Sequence, residues 1–131
     1  MWLLRRRPAD PLGRRGEKLA CRALRRGGLK ILARNYRCPA GEVDIIALDR
    51  STRREFGAET VVFVEVKARS SDRYTDPESA VDADKRRRMR KVADHYVAER
   101  GAREFNVRFD IVAIVARDGE PPRITHIPDA F

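Results

Sequence analysis

The chain has 131 residues, enough for one compact domain with a core of its own. It carries 29 Lys+Arg against 20 Asp+Glu, a formal net charge of +9. This favours polyanionic partners, because Lys and Arg neutralise phosphates and release their counterions; a solvated basic surface serving solubility alone is the plain alternative. No apolar run is long enough to span a membrane, and no helix pattern offers the wide apolar face with Trp or Phe that would anchor on one.

Residues 1–12 read as a flexible basic tail, since Pro8 and Pro11 interrupt regular structure, and residues 13–131 as a single domain. The short apolar start followed by Arg5, Arg6 and Arg7 has the wrong order for a secretory signal, so a cytoplasmic location is expected. Cys21 and Cys38 lie in no metal-like spacing and read as reduced thiols.

Residues 13–26 show helical spacing of Gly16, Leu19, Ala20, Ala23 and Leu24, and Gly27-Gly28 ends the helix. Glu17 falls at the edge of that apolar face, where it could serve a metal site or simply favour the helix dipole. A strand is predicted over 29–36, a turn over 38–41, and a strand over 42–48 that is apolar on both faces and therefore central. Residues 49–59 are polar and basic and read as a loop, followed by a strand over 60–68. The polar stretch 70–82 begins where that strand ends and suits a loop covering a site; its Tyr74 could stack on a nucleobase or pack on the surface.

A second helix over 82–100 is capped by Asp82 and closed by Gly101. Its apolar stripe is Met89, Val92, Ala93, Tyr96 and Val97, and Lys85 lies on the same line one turn earlier. Arg86, Arg87, Arg88, Arg90 and Lys91 crowd the rest of its first half, a cluster suited to phosphate. Strands over 107–116 and 123–127 complete the chain. Asp110 is an acid in an apolar strand that could pair with Arg108, and His95 and His126 stand in no ligand spacing.

Three charges stand out. Glu65 and Lys67 interrupt the apolar run VVFVEVKAR, and Asp44 interrupts GEVDIIALD. Strand side chains alternate, so Glu65 and Lys67 point the same way, about 7 Å apart. A buried carboxylate is costly unless it pairs or binds a metal. The three charges are therefore expected to converge on one cation at the end of a sheet. Carboxylate oxygens suit Mg²⁺ or Mn²⁺, with the Val66 carbonyl completing the coordination. A metal there would polarise a phosphoryl oxygen and activate water, and Lys67 would stabilise developing charge. A plain Glu65–Lys67 salt bridge is the structural alternative, but it would leave Asp44 unexplained.

Together, Gly-Glu-Val-Asp-Ile-Ile-Ala, Val-Phe-Val-Glu-Val-Lys-Ala-Arg, Arg-Phe-Asp-Ile-Val-Ala-Ile and the terminal Ile-Thr-His-Ile-Pro-Asp-Ala-Phe resemble the uncharacterised bacterial YraN-type family. That family is similar to the PD-(D/E)XK nucleases, especially the archaeal Holliday junction resolvases. The resemblance implies an α/β fold with a restriction-endonuclease-like core, a mixed central sheet of about five strands flanked by helices in the order α-β-β-β-α-β-β. It matches Asp44 to the first metal-binding acid, Glu65 and Lys67 to the Glu-x-Lys pair, and Glu17 to the acid of the first helix; Lys85 is a weaker match on the second helix. Val43 stands where proline often precedes the first acid. The resemblance implies a Mg²⁺- or Mn²⁺-dependent endonuclease acting on DNA, branched or damaged, with RNA as the other substrate class. A nucleic-acid-binding module without cleavage is the alternative reading. Arg69, Tyr74, Lys85 and the run Arg86, Arg87, Arg88, Arg90, Lys91 are the expected nucleic-acid contacts, and resolvase-like cutting would call for a homodimer.

Overall fold

The computed structural model of the chain describes residues 11–70, 81–101 and 105–131. Helix α1 (Pro11–Arg26) begins two residues before the expected start. Proline suits the first helical turn, where its missing N–H would lack a partner anyway. Residues 1–10 of the expected tail, Tyr74 and most of the expected loop 70–82 lie outside the described residues. At the other end of α1, Gly28 adopts φ 92°. The Leu29 amide donates to the Leu24 carbonyl and the Gly28 amide to that of Arg25, both at 3.0 Å. Those two bonds satisfy carbonyls that the helix leaves open, and they turn the chain into the sheet.

Strands β1 (Lys30–Cys38), β2 (Gly41–Asp49) and β3 (Thr60–Arg69) follow. Between β2 and β3, the expected loop contains a 3₁₀ turn (Arg50–Thr52) and the one-turn helix α2 (Arg53–Phe56). The Asp49 carboxylate winds this segment by accepting from the Ser51 amide at 3.0 Å and its hydroxyl at 2.5 Å. So short an element carries no periodicity, so the sequence pattern does not expose it. Helix α3 (Ala83–Arg100) is capped by Asp82, which accepts from the Lys85 amide at 2.9 Å, and is closed by Gly101 at φ 61°. Strands β4 (Asn106–Val115) and β5 (Arg123–Ile127) complete the fold.

The five strands form one sheet in the order β1-β2-β3-β4-β5. Three pairings are antiparallel; β3 and β4 are parallel, and α3 supplies the crossover that a parallel pair requires. This is the expected mixed α/β sheet flanked by helices, with the main elements in the expected order.

Strand alternation sorts the core into two layers. Val61 and Phe63 face α3 through Met89, Val92, Ala93 and Tyr96, with Val81 packed beside them just ahead of the helix. Val62 and Val64 face α1 through Ala20, Cys21 and Leu24. Gly16 lets α1 lie close on β3, since a Cβ at that position would sit 3.0 Å from the Ala68 Cβ. Only glycine permits so near a backbone approach without displacement. The segment after β5 folds back over β4. The Ala130 amide donates to the Phe109 carbonyl at 2.8 Å, and the Phe131 ring stacks on Phe109 at 5.2 Å.

Candidate functional site

The ladder between β2 and β3 runs from Asp49↔Thr60 to Ile45↔Val64 and goes no further. Beyond Ile45 the two strands part. The next residue on β2 is Asp44, and its carboxylate, rather than a main-chain carbonyl, accepts the Val66 amide at 2.8 Å. The strand amide is satisfied, and an ionisable side chain is fixed in the opening between the strands.

Glu65 continues the row of Val61 and Phe63 on the α3 side, and only 7% of it is exposed. Its carboxylate lies 3.4 Å from the Lys67 Nζ on the same strand. The Lys85 Nζ, from the first turn of α3, donates to the same Glu65 oxygen. Glu65 is therefore held between two ammonium groups from different elements. Lys85 was expected as a nucleic-acid contact; its principal partner is the site carboxylate.

Asp44 is pushed up from 3.8 to about 7. Burial is the main cause, followed by the neighbouring charge of Glu65. Glu17 adds to the pressure, while the Val66 amide and Lys85 work against it. Glu17 itself accepts from Asn35 Nδ2 at 3.2 Å. The three acids from α1, β2 and β3 thus share one electrostatic neighbourhood. Lys67 is lowered from 10.5, first by burial, with Lys85 adding to the effect and Glu65 opposing it. Lys85 is raised: burial alone would depress it, but its bond and charge interaction with Glu65 outweigh that.

Among the described residues, no three carboxylate, imidazole or thiol side chains are grouped as a complete metal shell. A divalent ion here would rest on Asp44, Glu65 and water, with the Val66 carbonyl as a further oxygen. Mg²⁺ is commonly held by one or two carboxylates while keeping several waters. The mutual repulsion between Asp44 and Glu65 is the feature that such an ion would relieve.

The expected contacts on α3 differ in their engagement. The Arg86 Nε donates to the Val81 carbonyl at 2.9 Å, and its guanidinium lies 5.2 Å from the Phe131 ring centroid. Arg90 lies over the same ring at 6.0 Å, and Arg87 pairs with Asp84 at 3.2 Å. Arg88 and Lys91 are exposed, and the half-buried Arg69 ends β3.

A second charged network was only partly visible in the sequence. Asp110 is fully buried. It accepts from the Arg108 Nε at 2.9 Å and Nη2 at 3.0 Å, from the His126 Nε2 at 2.7 Å and from the Asp129 amide at 3.0 Å. Arg108 also reaches Asp49 at 2.9 Å. The suggested Arg108–Asp110 pair is present; the His126, Asp129 and Asp49 links join residues too distant in sequence for any spacing rule. Strand alternation puts Asp110 in the row of Val112 and Ile114 on the α1 side, opposite the face that carries Glu65. Asn35 was likewise unforeseen. Its φ of 50° is a conformation that Asn tolerates better than most residues, and this was its one local signal.

Fold and site together describe a mixed-sheet α/β domain with acids from α1, β2 and β3 at the opening between two central strands. The sequence model of the uncharacterised protein family UPF0102 matches residues 16–114. A UPF0102 protein of Geobacter metallireducens is 42% identical over 120 residues, covering 92% of this chain and 91% of that protein. One from Syntrophus aciditrophicus is 43% identical over 119 residues, covering 91% and 87%, and one from Nocardia farcinica is 41% identical over 120 residues, covering 92% and 88%. The chain belongs to the UPF0102 family. No helix among the described residues is long and apolar enough to cross a membrane.

Proposed function

We propose that the chain is a divalent-metal-dependent endonuclease that hydrolyses phosphodiester bonds in DNA, with branched or damaged DNA as the favoured substrates and RNA as the other class to test. The observation that carries this reading is the Asp44–Glu65 pair. Burial first and the charge of Glu65 second raise Asp44 to about 7, and Lys67 stands 3.4 Å from Glu65. Such a pair is poorly suited to stability and well suited to gripping a cation.

Asp44 and Glu65 would hold Mg²⁺ or Mn²⁺, with the Val66 carbonyl beside them. When bound, the ion supplies Lewis acidity toward a phosphoryl oxygen and lowers the pKa of a water. The Val66 amide holds Asp44 in place, and Asn35 orients Glu17 at the rim. Lys67, half-buried and lowered in pKa, would orient a water or offset charge on the phosphate. Resemblance to the PD-(D/E)XK nucleases supports the same roles, and a cytoplasmic homodimer would present the two centres needed for paired cuts.

One observation favours a second reading, a nucleic-acid-binding module that does not cleave. Lys67 and Lys85 both reach the Glu65 carboxylate, so the chain's own cations offset its charge. A cleavage panel of linear, flapped and four-way-junction DNA, with Mg²⁺ or Mn²⁺ and an RNA arm, separates the two. The endonuclease reading expects products that require the metal and disappear in Glu65→Gln and Lys67→Ala while binding persists. Full cutting by Glu65→Gln would sink the catalytic assignment; tight binding with no metal-dependent product would favour the module.

A further inference from the structure

Helix α1 has one face with a single sign of charge. Its exposed positions are Arg14, Arg15, Lys18, Arg22, Arg25 and Arg26, and every one is a cation. At 100° per residue they fall within about a third of the helix circumference, and from Arg14 to Arg26 they extend over roughly 18 Å. Among the described residues none of the six has a carboxylate partner. Glu17, the one acid of α1, is turned partly inward toward Asn35 and the site. Arg34 of β1 lies close enough for its charge to act on Cys21 of α1, which extends the positive surface onto the neighbouring strand.

Helix α3 of the same chain is also rich in cations, but it intersperses them with Asp84, Asp94 and Glu99, and Arg87 is paired with Asp84. Like charges three and four residues apart oppose helix formation. Solubility needs no such segregation, so the face of α1 retains an arrangement that an extended polyanion would relieve. One strand of a duplex presents a phosphate about every 3.4 Å of axis, so roughly five phosphates match the length of the stripe. The close seat of α1 on β3, set by Gly16 against Ala68 directly after Lys67, fixes the stripe relative to Glu65 and Asp44.

We infer that the outer face of α1 is a duplex-backbone track, which holds about five phosphates of one DNA strand on the α1 side of the sheet, with Glu65 on the other face. The inference rests on the endonuclease reading for its purpose, but its contacts are independent of metal. The test uses the full chain in EDTA, a 20-base-pair DNA duplex and a salt series. Lys18→Gln/Arg22→Gln/Arg25→Gln should weaken binding and reduce the slope of log affinity against log salt by about 2.7, three contacts at about 0.9 each. The charge-preserving Lys18→Arg/Arg22→Lys/Arg25→Lys should retain the slope, and Arg88→Gln/Lys91→Gln on α3 should change it by less than the roughly 1.8 that two lost contacts would give. Circular dichroism checks that the folds match.

An unchanged slope in the glutamine triple would overturn the track. So would stripe-dependent binding to vesicles containing anionic phosphatidylglycerol without binding to the duplex. If the slope is unchanged while Mg²⁺-dependent cutting persists, the track fails and the catalytic reading stands. If the slope falls as expected while Glu65→Gln still cuts, the reverse holds.

Discussion

Asp44 accepts the Val66 amide at 2.8 Å just past the point where the hydrogen-bonded ladder between their strands ends. A main-chain carbonyl could satisfy that amide at no electrostatic cost. The side chain that does so is half-enclosed and close to Glu65, and its carboxyl is pushed up from 3.8 to about 7. The site therefore lowers the stability of the sheet when Asp44 is ionised.

That cost sets a pH dependence. A carboxyl with a raised folded-state pKa binds more protons folded than unfolded, so its contribution to stability falls as pH rises from about 4 to 7 and is level above that. Asp44→Asn keeps an oxygen for the Val66 amide and removes the charge. In EDTA it should match the wild type at pH 4 and exceed it at pH 8 by about 1–4 kcal/mol. Urea denaturation at the two pH values measures the difference, and an equal effect at both would remove Asp44 as its source.

Asp110 should behave in the opposite sense. Burial alone would raise its pKa, but His126, Arg108 and the Asp129 amide more than offset that and hold it below the ordinary value. A carboxylate lowered in the folded state adds stability that is present above the unfolded value near 4 and is lost as pH falls below it. Asp110→Ala leaves Arg108 and His126 without their buried partner, and about 3–5 kcal/mol of stability should be lost at pH 7. Because Asp110 faces the opposite side of the sheet from Glu65, the proposed cleavage per folded molecule should be retained when measured well below the midpoint of unfolding. Loss of cleavage in a fully folded Asp110→Ala variant would assign this network to the active site.

The same contrast shows what the sequence could reveal. Alternation in VVFVEVKAR was enough to put Glu65 and Lys67 on one face, and the break in GEVDIIALD was enough to single out Asp44, because strand period and burial are local properties. The main elements and their order followed from turn residues and periodicity in the same way. Partnership was not local. Lys85 reaches Glu65 across 20 residues, through the crossover that joins β3 to β4, and His126 reaches Asp110 across 16, through the register of β5 on β4. The charged run on α3 drew attention by its density in sequence. The track proposed on α1 shows only when burial separates the outward positions of that helix from the inward ones.

The seat of α1 can be tested through sterics alone. A Cβ at residue 16 would stand 3.0 Å from the Ala68 Cβ and 3.6 Å from the Ile114 Cδ1. Gly16→Val should therefore cost about 1–3 kcal/mol through overpacking, against which valine's slightly better helix propensity offsets only a few tenths. Ala68→Gly in the same chain removes the nearer obstacle and should recover part of that loss. A thermal or urea double-mutant cycle gives the coupling; purely additive effects would mean that α1 is not held at this contact.

Lys85 provides the last test, because it occupies a side of Glu65 that a divalent ion would also approach. Lys85→Met keeps most of the aliphatic stem and removes the charge. In EDTA, Glu65 would then have Lys67 as its remaining cationic partner among the described residues, and stability should fall by about 1–3 kcal/mol. Mn²⁺ binding, read by electron paramagnetic resonance of the free ion, should tighten several-fold, since an ammonium no longer opposes the second positive charge. Saturating Mn²⁺ should then restore much of the lost stability by binding only the folded chain. Weaker Mn²⁺ binding in Lys85→Met would instead mean that the lysine helps to build the metal site, and that its bond to Glu65 persists when the ion is bound.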